Sequence, residues 1–337
     1  KGSRYHPDFT LEHRAPISER LNYPVTSYTR YRTRALDAAE RARALNLPRN
    51  LSPRARALAT QWQRESSGPQ QVAQAALSRG KHVFCEKPGG ISSVELQKGI
   101  DIASEKNLRY RVNFNIRLHP AVALAKQKVN EGMIGDIMFL RAVYGHGGRE
   151  GYEHEWYCDK EISGGGELQD QGSHLLDIAN WFLGPFTSQS TFLATGSMPI
   201  APLEDNVFVL LKNARGQIAQ LHASWTHWKK TFRLEIYGRK GYLIVDGLGG
   251  QYGLERLVFG PQTFGREAPK ETVWEFPSEP GKPDAALKNS WVEFLESIRT
   301  GKDIGPSAKD AVAVSKLIEE GYGSQESAMM DVDKIKK

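Results

Sequence analysis

The sequence predicts two fold classes in one chain: α/β first, then α+β built on a large, mostly antiparallel open sheet. Three observations carry this reading. Between residues 68 and 120, short apolar runs alternate with helical stretches. From about residue 136, strand-like runs follow one another, split by turn signals such as NARG and GRKG. A length of 337 residues suggests about two domains.

Taken in order, PQQVAQAALSRG reads as a helix stopped by Gly80. HVFCE is a short buried strand. A helix follows over about 93–106, then the strand RYRVNFN and the helix PAVALAKQKVNEG. Eight runs come next: IMFLRAVYGH, STFLATGS, NVFVLLKN, QIAQLHASW, FRLEIYG, YLIVDG, RLVFG and TVWEF. Two of their turns are short enough for hairpins, so the sheet should be largely antiparallel. AALKNSWVEFLESIRTG and SAKDAVAVSKLIEEGY close the ordered part as helices, and 326–337 is a charged tail. The expected organisation is an atypical head (1–66), the rest of an α/β domain (67–120) and an α+β domain (121–325).

The head differs from the remainder. Residues 1–66 hold one Lys and twelve Arg against six acidic residues, a net of +7, against +6 for the whole chain. The apparent basic character, with a pI near 9.1, is therefore local. Before Gly68 the only glycine is Gly2, and the only β-branched aliphatic residues are Val25 and Ile17. Buried parallel strands need near-continuous Val/Ile/Leu runs, and none is present. The head is open to several readings: a displaced frame or rearranged terminus, a divergent nucleotide site, a basic arm, or vector-derived residues at the start. An Arg run without aromatic interleaving is weak evidence for nucleic acid, which is not an expected partner.

Two motifs carry chemistry. In GGGELQDQGSHLLDIANWFLG (164–184), Asp170 and His174 lie four residues apart, on one face of an apolar helix. A carboxylate and an imidazole can converge there on a small ligand, and His suits proton transfer near neutral pH. The glycines should let the backbone approach a bound molecule. Asp170 could equally be a helix cap and His174 an interior histidine. The second motif, GKHVFCEKPGG, ends a buried strand in Glu86-Lys87-Pro88, where an open α/β sheet places its ligands. A solvated surface turn is the alternative.

Together these stretches resemble the Gfo/Idh/MocA family, the glucose–fructose oxidoreductase and inositol dehydrogenase group. The family's EKP is Glu86-Lys87-Pro88, and its GGG-x-L-x-D-x-G-x-H-x-x-D runs from Gly164 to Asp177. NFNIRLHPAVALAKQKVNEGMIGDI (113–137) supplies a third match, with Asn115, Arg117 and Pro120 in place. The resemblance covers about 68–322. It implies a Rossmann-like dinucleotide-binding domain whose first half is incomplete or divergent, since the G-x-G-x-x-G fingerprint is missing. It implies NAD or NADP as cofactor, contacted by Glu86, Lys87, Pro88 and Asn115, with Lys87, Asp170 and His174 catalytic. The reaction implied is hydride transfer between a sugar or polyol carbon and a nicotinamide ring. Two alternatives stay open: a silent scaffold without a working dinucleotide site, and an NAD-dependent glycosidase. Substrate contacts are expected from Arg117 and from the glycine-rich loop 145–166, through His146, Arg149, Tyr152 and Trp156, because sugars bind aromatic faces and planar hydrogen-bonding groups.

A mean hydropathy of −0.50 and the lack of any run of about 18 apolar residues predict a soluble protein without a membrane span. No secretory signal is evident. Cys85 and Cys158 form neither a disulfide framework nor a metal pattern, so a reducing cytoplasm and no metal are expected. NVFVLLK and YLIVDG are apolar at both alternations, so both sheet faces should be covered, one by a second subunit. A homodimer or homotetramer is expected.

Overall fold

The structure, a computed structural model, describes residues 3–5, 11–13, 69–278 and 285–324. Two compact units divide at Ser66/Ser67. In the first, β1 (Ser3–Tyr5) pairs antiparallel with β2 (Leu11–His13). The rest of the basic head, the loop 279–284 and the charged tail lie outside the described residues.

The second unit opens with α1 (Pro69–Ser78), which ends where Gly80 adopts a φ of 73°. β3 (Val83–Glu86) then pairs in parallel with β4 (Tyr110–Asn113), as a βαβ crossover through α2 (Ser93–Glu105) requires. Ser92 caps α2 by accepting from the Glu95 amide. The α3 helix (Pro120–Asn130) starts on a proline, whose missing N–H costs nothing at that position.

Eight strands form one sheet: β5 (Ile137–Gly145), β6 (Phe186–Ala194), β7 (Asn206–Asn213), β8 (Ile218–Ser224), β9 (Thr231–Gly238), β10 (Gly241–Asp246), β11 (Glu255–Pro261) and β12 (Thr272–Phe276). Their order is β12-β11-β10-β9-β5-β8-β7-β6, antiparallel throughout except for the central pair β5–β8. The NARG and GRKG turns are hairpins as expected, β7–β8 and β9–β10. Asn213 fixes the first: its side-chain oxygen accepts from the Arg215 and Gln217 amides, both at 3.0 Å.

The strands are two-faced. In β7, Val207, Val209 and Leu211 are buried while Phe208 and Leu210 are about half exposed. The covered face packs on α4 (Ser173–Leu183), α3 and α6 (Ala308–Gly323), with α5 (Ala285–Thr300) lying against the turn after β4. Although last in sequence, α6 packs on α2 and β4 as well as on α4 and β6. Its Glu319 accepts from the Ser93 amide (2.6 Å) and hydroxyl (2.7 Å), satisfying orphan donors at the start of α2.

Candidate active site

Lys87 leaves the carboxyl end of β3 in a turn with a cis Lys87-Pro88 peptide. Asp170 lies in a π-helical turn, Leu168–Gly172, that runs directly into α4. The sequence spacing places His174 one turn on, and the structure brings all three together. Lys87 donates to the Asp170 carboxylate and, at 3.0 Å, to the Asp170 carbonyl. Two of three ammonium donors are thereby used, leaving one. Burial alone would raise the Asp170 carboxyl, but the Lys87 ammonium overrides it and holds the group below its ordinary range. His174 is 7% exposed, edge-on to Phe114 and Tyr144. Burial first, and Lys87 second, push its imidazole down to about 3, so it stays neutral. Its Nδ1 is buried with no hydrogen-bond partner among the described residues.

Sequence reasoning missed several neighbours. Trp225, just past β8 and fully buried, donates its indole N–H to Asp170 at 3.2 Å. Glu167, also fully buried, is pushed well above the usual carboxyl range by burial and by Asp170. With the Gln171 amide oriented to satisfy its surroundings, its nitrogen donates to Glu167 at 2.7 Å and its oxygen accepts from the Tyr252 hydroxyl at 3.3 Å. A tryptophan at a strand end and a tyrosine in a loop carry no pattern that points to a site.

The remaining candidates divide. Glu86 is exposed and accepts from Asn113 at 2.9 Å; Pro88 and Asn115 are half-buried beside the ends of β3 and β4. His146, just past β5, accepts from the Gly148 amide at 2.9 Å, and burial lowers its imidazole against the pull of Asp170. Arg149 is paired with Glu155 and lies 5.2 Å over the Tyr152 ring. Tyr152, expected to contact substrate, is 3% exposed and packs on Trp225, Ile200 and Leu203. The Trp156 side chain lies outside the described residues.

Two further expectations differ from the arrangement found. Arg117, expected to reach substrate, is 6% exposed and clamped inside the protein. It donates to Asp177 at 2.8 Å and to Asp310 at 2.9 Å, tying the turn after β4 to α4 and α6. A buried guanidinium needs such partners, and these use its fork. The glycines of 164–166 make room for neighbouring protein groups. A methyl group at Gly164 would collide with Ile91, at Gly165 with Tyr322, and at Gly166 with Glu204.

Cys85 is half-buried in β3, and its thiol is pushed up to about 11 by burial and Glu86. Among the described residues no cluster could hold a metal ion, and no helix is long and apolar enough to cross a membrane.

This arrangement fits a nicotinamide-dependent site. Glu86–Pro88 and Asn115 follow the carboxyl ends of two parallel strands, where α/β sheets hold dinucleotides. The unpartnered buried Nδ1 of His174 marks polar chemistry that the protein alone does not complete.

Comparison with known proteins agrees. Residues 34–114 match the oxidoreductase family's NAD-binding Rossmann fold, and residues 122–244 match the GFO/IDH/MocA C-terminal domain. Together the matches span more than half of the chain, which belongs to the Gfo/Idh/MocA family of oxidoreductases. Among its relatives is levoglucosan dehydrogenase of Pseudarthrobacter phenanthrenivorans, 27% identical over 73% of this chain and 72% of that protein. Inositol 2-dehydrogenase of Rhizobium meliloti is 23% identical over 71% and 69%. A solved levoglucosan dehydrogenase in complex with NADH and levoglucosan superposes with a TM-score of 0.65 over 77% of each chain, at 23% identity, and establishes the fold. Residues 34–66 fall within the Rossmann match although they lack the fingerprint glycines.

Proposed function

We propose that this protein is an NAD(P)-dependent oxidoreductase acting on a hydroxyl-bearing carbon of a sugar or polyol. The observation that carries this reading is the convergence of Lys87, Asp170 and His174 at the mouth of α4. A bound nicotinamide cofactor would supply the hydride acceptor. His174, neutral at working pH, takes the proton of the reacting hydroxyl. The imidazolium formed is stabilised by the Asp170 carboxylate, which already biases His174 toward its charged form. Lys87, with one donor left, holds the reacting oxygen and stabilises the negative charge that develops on it. Asp170, fixed by Lys87 and Trp225, keeps both groups in place.

The test follows nicotinamide absorbance with NAD and with NADP over a panel of sugars and polyols, with product analysis to separate net oxidation from glycosidic cleavage. Lys87→Ala and His174→Ala should each lose turnover while still binding cofactor. Micromolar cofactor binding would remove the scaffold alternative. Wild-type turnover in either variant would overturn that residue's role.

We read residues 67–120 as the continuation of the cofactor domain and 121–325 as the substrate and assembly domain. The open face of the sheet supports a homodimer or a dimer of dimers. Phe192 and Phe208 face each other across β6 and β7 and are 61% and 47% exposed; Leu210 beside them is 48% exposed. Such a patch is a candidate interface. Light scattering that gives the mass of one chain at micromolar concentration would remove it. Two free thiols favour a reducing, cytoplasmic setting.

A further inference from the structure

Three cations in and around the cluster are paired with carboxylates. Lys87 is paired with Asp170, Arg149 with Glu155, and Arg117 with Asp177 and Asp310. Lys230 is the exception. It is exposed and makes no ion pair among the described residues. Its Nζ lies 5.7 Å from the centre of the Tyr252 ring. The Tyr252 hydroxyl in turn reaches Gln171, in the same π-helical turn as Asp170. Lys230 also acts electrostatically on His146, which itself feels Asp170. These two relationships fix the ammonium at the rim of the site.

Of the carboxylates there, Asp170 and Glu155 are paired, and Glu86 lies exposed at the end of β3. Burial and Asp170 push the Glu167 carboxyl up, and burial lowers the imidazoles of His146 and His174. An aromatic face attracts an ammonium without neutralising it and leaves its N–H donors free for oxygen acceptors. Lys230 is left as an unpaired ammonium beside the Tyr252 ring.

We propose that Lys230 binds an anionic group of the substrate, a carboxylate or a phosphate, so that the preferred substrate is an acidic sugar or polyol rather than a neutral one. This deepens the reading of the site as a sugar oxidoreductase and rests on it for the identity of the ligand. The anion sits at the rim against the ammonium, while the reacting hydroxyl lies deeper, at Lys87 and His174.

The experiment is calorimetric titration of the full chain, with NAD present, using D-glucuronate, D-glucose 6-phosphate and D-glucose. The wild type should bind one of the anions about tenfold or more tighter than glucose, as one charge-assisted contact predicts. Which anion binds distinguishes carboxylate from phosphate recognition. Lys230→Ala should lose the preference and Lys230→Arg should keep it. Glucose binding as tight as either anion, an unchanged preference in Lys230→Ala, or no binding of any of the three would each overturn the proposal. A bound anion that is never oxidised with NAD or NADP would instead overturn the oxidoreductase reading and leave the Lys230 site standing.

Discussion

The indole of Trp225 and the carboxylate of Asp170 are hydrogen-bonded at 3.2 Å, although 55 residues separate them. Lys87 takes the other oxygen of the same carboxylate. Asp170 is therefore held by β3 and by the segment after β8 at once, which locks the turn that delivers His174. Trp225→Phe keeps most of the ring but removes the donor. Loss of a hydrogen bond to a charged group is expected to lower kcat/KM by about ten- to a hundredfold. Steady-state kinetics checks this, and an unchanged kcat/KM would show that Lys87 alone fixes Asp170.

Lys87→Met should strand a carboxylate whose side chain is only 16% exposed. Removing one partner of a buried pair costs about 3 kcal/mol or more. The penalty should shrink as pH falls, because Asp170 can then take up a proton. Lys87→Met with Asp170→Asn should recover most of the stability and none of the activity. Denaturant melts at neutral and acid pH separate these effects. A single variant as stable as the wild type would contradict the pairing.

His174 adds acid sensitivity to the fold. Its folded imidazole sits at about 3, against an ordinary 6.5. Between those values the unfolded chain binds a proton that the folded chain does not, so stability falls as pH drops below 6.5 and levels off near 3. Above 6.5 the group contributes no pH dependence. His174→Gln should flatten the stability–pH curve in that window. An identical slope in both proteins would mean that His174 titrates normally.

The strand runs, hairpin turns and helix stops were legible because each is a local pattern. Asn213 ordering the NARG turn and Pro120 opening α3 are visible in a few adjacent letters. Lys87, Asp170 and His174 were legible because motif and helical spacing coincide. Trp225, Glu167 and Tyr252 were not, since their relevance exists only after β5, β8 and the π-helical turn come together. Arg117 misled for the same reason. Its partners are Asp177 and Asp310, and nothing in the sequence near Asp310 marks it as the far end of a buried clamp.

Arg117→Met should therefore act on stability and not on substrate recognition. It leaves Asp177, 1% exposed, without a counter-charge, at a cost of about 3–5 kcal/mol. Arg117→Met with Asp177→Asn should restore part of that. If the folded single variant shows a raised KM with stability intact, the arginine touches substrate after all.

The last prediction concerns Gly165, where sequence pointed to ligand approach and the structure points to packing. A Cβ there would collide with the Tyr322 hydroxyl, which donates to Glu204 at 2.7 Å and accepts from the Gly166 amide at 3.2 Å. Glu204 in turn accepts from the Leu168 amide at 3.0 Å, at the start of the turn that carries Asp170. The glycine loop is thus fastened to α6 two residues ahead of the catalytic segment. Gly165→Ala must push Tyr322 aside or shift the loop, and overpacking of this kind costs about 1–3 kcal/mol. If the loop shifts, Asp170 and His174 move with it, so kcat should fall more than stability alone explains. Tyr322→Phe removes both hydrogen bonds and leaves Gly165 in place. It should lower stability by about 1–2 kcal/mol with a smaller loss of kcat. Thermal melts and kcat for the two variants, measured side by side, decide the matter. Equal kcat for Gly165→Ala and wild type would show that the loop does not position the catalytic turn.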